Sequence, residues 1–130
     1  MNEYMNPPMN GVGSVINGLA KDIHDNAVQH GFYEDVEELL NYLNVNDQTW
    51  HSEVSKMNFI LAQLAKIASE VGEAVSAIQH GDQNGLREEI ADIAIRTLDL
   101  GAYIEPRIGD CIMLKHEKNR ARPYKHGKKC

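Results

Sequence analysis

The sequence predicts an all-α fold, a helical bundle built on one long antiparallel helix hairpin and completed by oligomerisation. Three observations predict it. Val54, Met57, Leu61, Leu64, Ala68, Val71, Val75 and Ile78 step by three or four residues throughout, the pattern of a long helix seated in a bundle. HGDQNG at 80–85 then supplies a turn, with Gly81 suited to a left-handed C-cap and Asp82 or Asn84 able to cap the next helix. Beyond it, Leu86, Ile90, Ile93, Ala94, Thr97, Leu98 and Gly101 form a second buried side that stops at Glu105 and Pro106. A hairpin with a few short helices leaves part of its apolar stripe without a partner, so a homodimer or homotetramer is expected.

In chain order, residues 1–13 carry Pro7, Pro8, Gly11 and Gly13 without apolar period and read as a flexible lead-in. A first helix is expected from about Ser14, with Ile16, Leu19, Ala20, Ile23 and Ala27 as its buried stripe, His24 beside it and Gly31 at its end. Phe32 and Tyr33 put aromatic surface where the chain turns, either for core packing against the next helix or as a face on which a base can stack. EDVEELLNYL at 34–43 is a short helix opened by acids. NVNDQTWH at 44–51 reads as a polar connection whose Trp50 either anchors the loop or lines a pocket. Ser52 and Glu53 mark the start of the long helix, which runs to about Gln79, and Leu86–Ile104 is its partner. Gly72 removes bulk where another backbone can approach, at a helix cost of about 1 kcal/mol relative to Ala. A last short helix around Ile108, Ile112 and Lys115 gives way to a basic tail at 119–130.

The hairpin carries a distinctive charge pattern. Glu70 and Glu73 precede the turn, Glu89 and Asp92 follow it, and each pair is spaced i, i+3 on one helix face. Folding about Gly81 sets Glu70 level with Asp92 and Glu73 level with Glu89. Four carboxylates in one small volume repel unless protons or a cation intervene, and a divalent metal is the simplest reason to assemble them. The ligands are all oxygen, which favours Mg²⁺, with Mn²⁺ as substitute, over Zn²⁺ or iron. Arg96 and Asp99 continue the face of Glu89 and Asp92, placing Arg96 to hold Asp92 or Asp99.

Charge distribution narrows the partners. The formal charge is −6, but residues 118–130 hold six Lys or Arg and no acid, so residues 1–117 carry 7 basic against 19 acidic groups, or −12. Such a body argues against a nucleic acid polymer, while a short basic tail suits the phosphates of a small ligand. Two cysteines, Cys111 and Cys130, make no disulfide framework, and no stretch approaches the roughly 20 apolar residues of a membrane span, so a soluble, cytoplasmic chain of one domain over 1–130 is expected.

The pattern Glu70-x-x-Glu73, fifteen intervening residues, then Glu89-x-x-Asp92 resembles the signature of the all-α nucleoside triphosphate pyrophosphohydrolases of the MazG-like superfamily. SEVGEAVSAI, EEIADIAIRTLDL and the terminal KHEKNRARPYKHGKK are similar to the small bacterial and viral members, and IHDNAVQHGFY resembles them too. The resemblance spans about 57–129, with a weaker stretch at 19–33. It implies Mg²⁺-dependent hydrolysis of a (d)NTP to (d)NMP and pyrophosphate, in nucleotide-pool control, by a helical bundle completed by a second subunit. It implies Glu70, Glu73, Glu89 and Asp92 as metal-binding and catalytic residues, which Arg96 and Asp99 are spaced to support, and Lys115, Asn119, Arg122, Tyr124 and Lys125 as the substrate-binding region. A catalytically silent metal- or nucleotide-binding regulatory bundle is the alternative that the same acids allow.

Overall fold

The computed structural model describes residues 2–127. Met1 of the lead-in and Lys128, Lys129 and Cys130 of the basic tail lie outside the described residues. The fold is all-α: α1 (Gly11–Gln29), α2 (Glu34–Val45), α3 (Thr49–Gln79), α4 (Gln83–Ile104) and α5 (Ile108–Arg120), with short 3₁₀ turns at Glu3–Met5 and Tyr124–Gly127. No strand occurs among the described residues. The α3–α4 hairpin is the frame. α1 lies against α4 and α5, and α2 covers the first half of the hairpin along α3.

Helix ends follow local chemistry. Asn10 starts α1 three residues before Ser14, because its side-chain oxygen accepts the N–H groups of Val12 at 2.9 Å and Gly13 at 3.1 Å. Asp82 does the same for α4 through Gly85 N–H at 2.8 Å, so that helix opens at Gln83 and not at Leu86. Gly81 (φ 68°) and Gly31 (φ 82°) take the left-handed conformation that closes α3 and α1. The expected polar connection at 44–51 shrinks, since α3 begins at Thr49 and takes in Trp50 and His51. Trp50 is 70% exposed and stands edge-on to His51, so it anchors nothing on the core. α5 extends to Arg120 and includes Asn119, which the sequence reading placed in the tail.

The lead-in does not hang free. The Arg107 guanidinium donates to the Pro7 carbonyl at 2.7 Å, Pro7 is buried, and Lys118 pairs with Glu3 while standing 4.7 Å from the Tyr4 ring centroid. α1 and α5 meet through glycine. Gly109 N–H donates to Asn17 Oδ1 at 2.6 Å, and buried Asp110 accepts from Asn17 Nδ2 at 3.0 Å and Arg107 Nε at 2.9 Å. A Cβ on Gly13 would stand 2.4 Å from Asp110 Oδ1, so only glycine lets the helices come this close.

The apolar core is thin. Tyr33, Val36 and Leu40 are buried together, with Ala27, Phe59 and Tyr103 packed against them. The α3 stripe expected inside the bundle faces outward instead: Met57 is 61% exposed, Leu61 57% and Ile78 63%, with Leu64, Val71 and Val75 also exposed. The face of α3 turned inward lies one residue over and carries Phe59, Gln63, Ile67, Glu70, Ala74 and Ala77, all buried or half-buried. A one-residue offset is about 100° of helix rotation, so α3 presents one face to its own chain and a separate apolar face to the outside. On α4, Ile90, Ala94 and Thr97 are likewise exposed, contrary to expectation. Gly72 meets nothing within 4 Å, so no backbone among the described residues uses the space it leaves. The accessible surface is 9488 Å². A compact monomer of 14.6 kDa exposes about 6,900 Å².

Candidate metal and nucleotide site

Glu70 and Glu73 lie one turn apart on α3, and Glu89 faces them from α4, because the hairpin turn brings the two helices antiparallel at this level. One carboxylate oxygen of each lies within 4.8 Å of the other two. Glu70 and Glu89 are half-buried and Glu73 is exposed. Asp92 is not part of this set. It stands one turn further along α4, on the wall of an adjoining cleft.

Charge in the cluster is unevenly shared. The hydrogen bond between Glu70 and Glu89, partial burial and the nearby Glu73 push the Glu89 carboxyl up to about 7. Glu89, Glu73 and Arg96 together hold Glu70 below its ordinary value, so the two facing carboxyls are pushed in opposite directions and Glu89 is the one that favours a proton. Glu89 Oε2 is a buried oxygen without a hydrogen-bond partner among the described residues. An orphaned oxygen beside two further carboxylates fits an oxygen-seeking divalent cation, which would satisfy it and offset the repulsion.

Arg96 pairs with neither Asp92 nor Asp99. Its Nε donates to Glu70 Oε1 at 2.8 Å, across the hairpin, since a long helical side chain leans back toward the helix N-terminus and so reaches the opposing helix. Asp99 is held elsewhere: Oδ1 lies 2.8 Å from His24 Nδ1 and accepts the Tyr33 hydroxyl at 2.9 Å. Desolvation first, and the Asp99 hydrogen bond second, push the Tyr33 phenol well above its ordinary value, which keeps it a donor. Phe59 and Tyr103 stack around Tyr33, fixing this wall of the cleft.

A cleft between α1, α3 and α4, with a volume of about 370 Å³, meets the cluster at Arg96, which lines it while bonding Glu70. Asp92, Arg96 and Asp99 line it from α4, Lys66 and Gln63 from α3, Asn26 from α1, and Phe32 from the α1–α2 connection. Sequence reasoning missed Asn26, Gln63 and Lys66. A signal was present for two of them, because Gln63, Lys66, Glu70 and Glu73 repeat at i, i+3, i+7 and i+10, a polar stripe running beside the apolar one. Lys115, Asn119, Arg122, Tyr124 and Lys125 are not brought to the cluster. They sit on and after α5, which packs on α1 and shares no packed face with α3.

Residues 60–113 match the family model described as the MazG nucleotide pyrophosphohydrolase domain. The match contains all four acids of the sequence pattern and leaves the tail outside. No curated protein and no solved structure matches the chain significantly. No helix among the described residues is long and apolar enough to cross a membrane.

Proposed function

We propose that this chain, which over residues 60–113 is of the MazG nucleotide pyrophosphohydrolase family, is a Mg²⁺-dependent enzyme that hydrolyses a nucleoside triphosphate to the monophosphate and pyrophosphate, in nucleotide-pool control. The observation that carries the reading is the convergence of Glu70, Glu73 and Glu89 inside the matched segment, with a buried Glu89 oxygen left without a partner. These three carboxylates would hold the cation, and Asp92 extends the acidic surface toward the cleft. A divalent cation there neutralises phosphate charge and polarises the phosphoryl oxygens. Arg96 keeps the Glu70 carboxylate in place, and binding of the cation would release the proton that Glu89 otherwise favours. Lys66 and Arg96 supply the positive charge that a polyphosphate needs beside an acidic body.

The reading includes a homodimer or homotetramer. The surface exceeds that of a compact monomer by roughly 2,600 Å², within the range that obligate interfaces bury. The outward apolar face of α3 is the surface available for a second copy.

The test is product analysis. Purified protein with Mg²⁺ and a panel of ribo- and deoxynucleoside triphosphates should yield monophosphate and pyrophosphate, with no diphosphate. Glu73→Gln and Glu89→Gln should lower turnover by about a hundredfold or more. Unchanged activity after exhaustive chelation would overturn the metal requirement, and diphosphate with orthophosphate as products would overturn the bond assignment.

A further inference from the structure

The cleft beside the cluster has a polarity of its own. Along α3 the side chains run amide, cation, carboxylate, carboxylate: Gln63, Lys66, Glu70, Glu73. Along α4 they run the opposite way in number and the same way in space, with Asp99 at the Gln63 end and Glu89 at the Glu73 end. The spacing from Glu70 back to Gln63 is seven residues, about 10 Å of helix, which leaves room for a sugar between a base at Gln63 and phosphates held at the Glu70 end, with Lys66 alongside. Two further groups close the far end. Asn26 enters from α1, and the Phe32 ring, 70% exposed although it lines the cleft, offers an unfilled apolar face.

Resting on the pyrophosphohydrolase reading above, we propose that this cleft seats the nucleoside: the base stacks on Phe32, the Asn26 and Gln63 side-chain amides read its edge, and Lys66 and Arg96 hold the phosphates. Each part has a physical reason. An exposed ring stacks on any base and so contributes affinity without sequence preference. A primary amide offers one acceptor and two donors, so a pair of them distinguishes the donor and acceptor patterns of the four bases. Asp99 is fixed as part of the wall, its Oδ1 held by His24 and Tyr33. Arg96 joins the two halves of the site, since its guanidinium lines the cleft while bonding Glu70 of the cluster. It acts on the metal side as a positioning residue and on the cleft side as a phosphate contact.

The experiment uses the full chain and two readouts. In the first, kcat/KM is measured for wild type, Asn26→Ala, Gln63→Ala and Phe32→Ala over the four bases with Mg²⁺. Asn26→Ala and Gln63→Ala should change the ratio between preferred and poorest base by about tenfold, whereas Phe32→Ala should raise KM for every base by about tenfold. In the second, equilibrium binding of nucleoside monophosphates is measured calorimetrically without metal, where all three variants should bind at least about tenfold more weakly. Melting temperatures of Asn26→Ala and Phe32→Ala should match wild type, since both residues are exposed, and Gln63, half-buried on α3, is checked in addition as the isosteric Gln63→Glu. If wild type turns over nucleotide and the variants keep its base ranking and KM, the cleft assignment is overturned and the enzyme reading stands. If wild type is silent but binds monophosphates through these residues, the enzyme reading fails and the cleft stands. Wild type that binds no nucleoside monophosphate overturns the cleft.

Discussion

At the residue scale, Glu89 decides how the protein answers to pH. Glu70 and Glu73 face it from α3, and Arg96 is the cation of the cluster, bonded to Glu70 and not to Glu89. Its pKa is raised from 4.5 to about 7, so its favourable contribution is complete below the unfolded value and is lost as pH rises through about 7. The lowered Glu70 acts in the opposite sense but only below its unfolded value of 4.5, outside that window. Without metal, the melting temperature should fall between about pH 5 and pH 8, and Glu89→Gln should flatten the fall. Because a cation binds the deprotonated set, Mg²⁺ should raise the melting temperature more at about pH 8 than at pH 6. Glu73→Gln should lose most of that response. Scanning fluorimetry across pH with and without Mg²⁺ reads all three, and identical metal shifts in parent and variants would place the cation elsewhere.

At the element scale, the α1–α5 junction is a close approach made through glycine, and it helps to seat α1, which walls the cleft. Gly13→Ala drives a methyl against Asp110 Oδ1 at 2.4 Å, with the Asp110 backbone N at 3.1 Å behind it. It should cost about 1–3 kcal/mol as overpacking. Gly11→Ala, two residues earlier in the same helix, meets nothing within 4 Å and should be neutral or stabilising by up to about 1 kcal/mol. Urea unfolding of the pair separates close approach from glycine's general effect on a helix, and equal changes would refute the junction.

At the scale of the whole molecule, surface area is the governing quantity. Among the described residues no large side chain is fully buried, and six apolar residues of α3 from Met57 to Ile78 are each at least 45% exposed. Burying such a face is worth on the order of 25 cal/mol per Å². Light scattering should therefore give a mass at least twice that of the 14.6 kDa chain, and Leu61→Glu with Val75→Glu should lower it toward one chain. A wild-type monomer at micromolar concentration would contradict the assembly.

The sequence by itself determined the helices, the hairpin turn and the meeting of Glu70, Glu73 and Glu89 across it, because each is written in short-range terms. Caps, glycine conformations and i, i+3 spacings depend on neighbours within one or two turns. It also carried the resemblance that the family model matches over residues 60–113, since the spacing of the acids survives as a pattern whatever the helices pack against. Tertiary structure decided what depends on rotation about a helix axis. The apolar stripe of α3 was legible, but its direction was not, because two faces 100° apart both look buried when one covers this chain and the other is left for a second. Packing of the helices likewise left Asp92 beside the set of three glutamates, paired Arg96 with Glu70, and gathered Asn26, Gln63 and Lys66 from two helices into one cleft. No local pattern encodes a meeting of side chains forty residues apart.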